Sequence, residues 1–224
     1  MTMHRAGLIM ALALAVCACA APSATSPPPS NSPVSPPPSV AVSPTPSPTP
    51  APDVPIIPTA PTGPEITTGS PMVAEDDDGI FRLTLEVGRD RYRAGQVIEV
   101  MSTLTYVGPS DATIARGPGT GLIGFGVERE DRAIRIGPAF TTDCAPKPFT
   151  RDDVVDYPFV KSGGFSNDEP LAPFYQAYFA DPQLRLPAGT WTISAGGSFY
   201  SGADCGAGFP LHELTAAVTV TVEP

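Results

Sequence analysis

Phe81-Arg82-Leu83-Thr84-Leu85-Glu86-Val87 alternates apolar and polar residues without a break. Successive side chains of a β-strand point to opposite faces, so this stretch would bury Phe81, Leu83, Leu85 and Val87 and expose Arg82, Thr84 and Glu86. A polar turn from Arg89 to Gln96 leads into a second alternation, with Ile98, Val100, Ser102, Leu104 and Tyr106 on one face and Thr103 and Thr105 on the other. Gly108-Pro109-Ser110-Asp111 stops that strand. The pair reads as a half-buried antiparallel hairpin, and the rest of the chain is interpreted around it.

Downstream, shorter strands are expected at Ala112 to Ala115, Leu122 to Glu128 and Arg132 to Ile136, with a weaker one at Val154 to Val160. Trp191, Ile193 and Ala195 alternate with Thr192 and Ser194 after Pro187-Ala188-Gly189. Val218, Val220 and Val222 share a face of a last strand from Leu214 to Val222. Seven or eight strands in about 150 residues, with turns every 8 to 12, predict an all-β sandwich. A Ser166-x-x-Glu169 pair ahead of Pro170 predicts one short helix running to about Ala180, with Phe174 and Tyr178 on one face.

Upstream, the composition changes. Of the 30 Pro in 224 residues, 18 fall at or before Pro71, mixed with Ser, Thr and Ala from Ala21 onward. Nothing apolar recurs there to bury, so residues 21–74 are expected to form a disordered, polyproline-II-biased linker with an upper reach of roughly 150 Å for about 50 residues. Residues 1–20 carry Arg5, an uncharged apolar run from Ala6 to Val16, and then small residues, which is a secretory signal too short to span a bilayer. Residues 75–224 form the predicted domain.

Val16-Cys17-Ala18-Cys19 resembles the lipobox of bacterial lipoproteins, although Cys17 occupies a site where Ala, Ser or Thr is usual. The resemblance implies that Cys19 is the lipid-bearing residue, because Cys17 would place Val16 where a small residue is wanted. A multiply acylated Cys would hold the protein durably on a membrane, at the extracellular face of the cell membrane or in the periplasm. The alternative is ordinary cleavage after Ala18-Cys19-Ala20 and secretion. Leu83 through Leu104, with Tyr92-x-x-Gly95-x-x-Ile98, is similar to the opening hairpin of bacterial Ig-like domains. Leu186-Pro187-Ala188-Gly189-Thr190-Trp191 is similar to their penultimate turn and strand. These likenesses imply an Ig-like antiparallel β-sandwich and no particular activity.

The formal charge of -10 and the lack of any basic stripe argue against nucleic acid as a partner. Cys144 and Cys205 are an even pair in an exported chain, and a disulfide is expected between them. Glu75-Asp76-Asp77-Asp78-Gly79 lacks the alternating oxygen ligands of a calcium loop and reads as a solvated domain edge, so no metal is expected. Gly119-Thr120-Gly121-Leu122-Ile123-Gly124 matches G-x-G-x-x-G in letters, but a β-alternating segment follows it rather than a helix, so it is read as a glycine-rich strand or bulge and no cofactor is expected.

A Ser-His-Asp site would have to use His212, which reads as a surface or turn residue without a nucleophile elbow. Loop acids Asp152, Asp153, Asp156, Asp168 and Glu169 supply the alternative of an envelope hydrolase, and a protease-inhibitor-like sandwich is a third. The long segment from Phe140 to Pro182 concentrates aromatics, and Phe165, Phe174, Tyr175 and Tyr178 are named as its binding surface, against the alternative that they cover a sheet edge as a satellite core. The resulting expectation is a non-catalytic, membrane-anchored module that binds another envelope protein or a cell-wall polymer.

Overall fold

The computed structural model describes residues 54–224. Two sheets pack face to face. The first has the order β1(Met72–Asp77), β2(Phe81–Val87), β4(Val100–Tyr106), β9(Val154–Pro158). The second has the order β3(Arg91–Arg93), β11(Leu211–Glu223), β10(Gly189–Ser201), β5(Ala112–Gly117), β8(Ala145–Thr150). In this second sheet β6(Gly124–Arg129) also pairs with β10, and β7(Arg135–Ile136) pairs with β6. The fold is the expected all-β sandwich. All pairings are antiparallel except β3 with β11, which is parallel.

The opening alternation behaves as its period requires. Phe81, Leu83, Leu85 and Val87 are buried, while Arg82 and Glu86 are exposed. The facing layer comes from β10 and β11, whose Trp191, Ile193, Ala195, Phe199 and Leu214 to Val222 alternates close the core. Ser102 is the polar exception inside the first sheet, and its hydroxyl donates to the Thr84 carbonyl at 2.9 Å, so the buried group is satisfied.

Three strands have weak signals in the sequence. β8 carries Pro146 and Pro148 and pairs only with β5, an edge place where proline is tolerated. β3 is three residues long. β1 is the acidic run itself, so the expected boundary between residues 74 and 75 falls inside a strand. The segment before β1 also belongs to the domain. Thr62 N–H donates to the Ala94 carbonyl, and buried Gln96 exchanges two 3.0 Å bonds with the Ile66 backbone. Val54 and Ile57 pack on the core. The leader, Cys19 and linker residues 21–53 lie outside the described residues.

The helix α1(Ala172–Ala180) starts later than the Ser166 cap predicts. Glu169 does accept from Ser166 N–H at 2.6 Å, but this closes a turn ahead of the helix, because Pro170 disfavours helical geometry in the residue before it, whereas Pro173 falls in the first turn, where proline is tolerated. Cys144, just before β8, is bonded to Cys205 in the loop between β10 and β11, with Cα atoms 6.1 Å apart, so the long insertion is pinned as expected. Gly119 to Gly124 is the crossover from β5 into β6 and no helix follows it, which leaves the dinucleotide pattern without its structural context.

Candidate functional site

The named aromatics of the insertion are core residues. Phe174 and Tyr178 are 1% and 2% exposed, and Tyr175 is buried beside them. Phe174 stacks on Trp191 with centroids 6.4 Å apart, which seats α1 over the sandwich. Phe165 is half-buried and stacks on Tyr175 and Phe179. The four do not form an exposed binding face; they are the sheet-covering satellite core that the sequence offered as the alternative. Lys161 completes this cluster, donating to the Tyr178 and Asp181 carbonyls at 2.6 and 2.8 Å with its ammonium 4.0 Å from the Tyr178 ring centroid. Burial pulls its pKa down to about 8, with Asp181 opposing and Arg185 adding to the shift.

The insertion exposes a different aromatic. Phe140, 37% exposed, rests on the glycine floor made where β6 meets β10. Gly124 lies opposite Gly196 and Gly126 opposite Ser194 in that register. A Cβ on Gly124 would sit 2.9 Å from Phe140 Cζ, so only glycine admits the ring at that height. Two depressions flank it. One, of about 410 Å³, runs over β6, β10 and β11 past Ser194, Ser198 and Thr215 to the carboxylates of Asp76 and Glu213. The other, of about 430 Å³, is walled by Ile123, Phe125, Tyr157, Pro158 and Val160, the last 62% exposed. The Tyr157 hydroxyl is buried, so its ring rather than its oxygen forms the wall, and burial pushes its pKa up to about 12 against the lowering influence of the Leu122 backbone. Sequence reading missed this cleft, because glycines on two strands separated by about 70 residues do not announce their register; the signal available was the Gly-rich spacing of Gly124, Gly126, Gly196 and Gly197.

His212 corrects a second expectation. It lies on β11, is 4% exposed, and its ring meets Phe81 and Phe199 at centroid distances of 4.9 and 5.4 Å. Its Nδ1 is 2.6 Å from Asp78 Oδ2 and its Nε2 is 2.9 Å from Ser201 Oγ. A carboxylate only accepts, so Nδ1–H donates to Asp78, and Nε2 shares a hydrogen bond with the Ser201 hydroxyl. Asp78 Oδ1 also accepts from Ile80 and Phe81 N–H. Burial raises the Asp78 pKa, but the Phe81, His212 and Ile80 donors outweigh it and the net shift is downward.

This is the order of a nucleophilic triad, yet its surroundings are those of a structural latch. Ser201 and His212 line neither depression at Phe140. The backbone N–H groups of Ser201 and Gly202, which sit nearest the hydroxyl, are already donated to Pro210 and Ile114 carbonyls, so neither is free for an oxyanion. The cluster joins the turn between β1 and β2 in one sheet to the hairpin of β10 and β11 in the other. The acids proposed for hydrolysis are dispersed: Asp152 and Asp153 in the turn before β9, Asp156 on β9, and Asp168 and Glu169 before α1. Among the described residues, no hydrogen bond joins any of them to His212.

No family model, curated protein or solved structure matches this chain. Among the described residues no helix is long and apolar enough to cross a membrane.

Proposed function

We propose that the protein is a lipid-anchored cell-envelope protein, exported by residues 1–20 and held at Cys19, that displays its β-sandwich as a non-catalytic binding module. The observation that carries the binding reading is the cleft on both sides of Phe140, an exposed aromatic on a glycine floor beside an apolar depression. Aromatic and aliphatic walls with a few placed polar groups are what recognition sites offer. The dispersed loop acids and the enclosed His212 support a role without turnover. The partner is another envelope component, and the Pro-rich linker sets its distance from the membrane.

Two experiments test this reading. A photo-crosslinking side chain at Phe140 in intact envelopes should trap a partner, whereas the same side chain at Thr103, on the outer face of the other sheet, should not. Equal trapping from both places contradicts the assignment of the cleft. A fluorophosphonate probe should leave Ser201 unlabelled, and stoichiometric labelling that disappears in Ser201→Ala would overturn the non-catalytic reading.

A further inference from the structure

The charge around the cleft narrows what it accepts. Among the residues lining the two depressions, the charged ones are Asp76 and Glu213, both in the first; Lys147, which lines neither, holds its ammonium 5.9 Å from the Tyr157 ring centroid. Asp76 spends one oxygen on the Thr215 N–H at 2.7 Å, and Glu213 lies exposed on β11. The chain as a whole carries -10, so its net charge has the same sign as this local pair and does not oppose the approach of a cation. On the other side of Phe140, the depression offers hydrocarbon: Ile123, Phe125, Val160 and the Tyr157 ring with its hydroxyl turned away. A glycan would want several hydroxyl and amide partners on both sides of an aromatic platform; here one side offers only Thr120, Ser162 and the backbone against a mostly apolar wall.

The geometry points to an extended, cationic peptide segment of a partner protein as the occupant, with an aliphatic side chain in the depression at Val160 and an Arg or Lys two positions away reaching Asp76 and Glu213. Side chains i and i+2 of an extended segment leave on the same face, and a single ring, Phe140, separates the two depressions. This inference rests on the binding reading above and adds the chemistry of the partner.

The test uses the mature chain from residue 19, carrying Cys19→Ser so that it stays in aqueous solution, labelled with nitrogen-15. The probes are acetyl-Ser-Leu-Thr-Arg-Ser-amide, its analogues with Gln or Glu in place of Arg, and chitotetraose. Saturable movement of the Gly124, Gly126 and Gly196 amide signals with the Arg peptide is expected. The Gln analogue should bind about three- to fivefold more weakly, the size of one solvent-exposed ion pair, and added salt should erase that difference. Glu213→Lys should invert the preference toward the Glu peptide, and Phe140→Ser should abolish all movement while the remaining amide dispersion stays intact. Equal binding of Arg and Gln peptides at these glycines overturns the cationic assignment but leaves a binding cleft. Movement with chitotetraose and with no peptide assigns the cleft to a glycan and also overturns it. No movement with any probe removes both the inference and the cleft reading.

Discussion

Asp78 collects three donors on two oxygens, from Ile80 N–H, Phe81 N–H and the His212 ring, and so fixes the turn between β1 and β2 against β11. Two substitutions separate the packing of His212 from its hydrogen bonding. His212→Phe keeps a ring between Phe81 and Phe199 but leaves Asp78 and Ser201 short of a partner, at a cost of about 1–3 kcal/mol in urea unfolding. His212→Ala adds a cavity, and its cost should reach about 3–5 kcal/mol. Asp78 has a folded pKa below its ordinary value of 3.8. Its contribution is therefore complete above the unfolded pKa and is lost as pH falls through the folded one. Asp78→Asn should flatten the acid limb of the stability profile; an unchanged limb would mean that the cluster carries no linkage. Lys161 works in the opposite range. Its folded pKa of about 8 lies below the ordinary 10.5, so the unfolded chain holds a proton that the folded chain has released, and stability rises with pH across that window. Lys161→Met should remove this rise.

The elements divide into those that the sequence shows and those that it hides. β2, β4, β10 and β11 are each half-buried by strict alternation, and all were readable from period two. β8 was hidden because two prolines argue against a strand until its edge position is known, and β1 because its inward faces are Met72, Ala74 and Asp76 rather than large apolar residues. The aromatics of α1 were visible as a cluster, but exposure depends on what lies beneath, and Trp191 lies beneath Phe174. Phe174→Ala should accordingly destabilise the domain by about 3–5 kcal/mol, whereas a surface aromatic would cost almost nothing. His212 was hidden for a related reason: its partners Asp78 and Ser201 are 134 and 11 residues away, and only the stacked sheets bring them together. At the disulfide, a separation of 61 residues implies on the order of 4 kcal/mol from loop closure, so reduction should lower the urea midpoint substantially while leaving the strands formed.

Across the whole molecule, the division between tether and module shifts toward the N-terminus. Residues 54–74 contribute Val54 and Ile57 to the core, two backbone bonds to Gln96 and the first half of β1. A chain beginning at Val54 should therefore unfold cooperatively, and one beginning at Glu75 should lose at least about 2 kcal/mol through the unpaired Gln96 amide N–H and the shortened strand. On the proposed anchoring at Cys19, the tether to the domain would be correspondingly shorter, about 33 residues and a maximum reach of roughly 100 Å. On this account the protein holds one disulfide-bonded sandwich at a limited distance from a membrane and presents the Phe140 cleft to the envelope. The mass of the mature N-terminal peptide tests that claim most directly. The account predicts a peptide that begins at Cys19 and carries a diacylglyceryl thioether; an unmodified peptide beginning at Ala21 would contradict it.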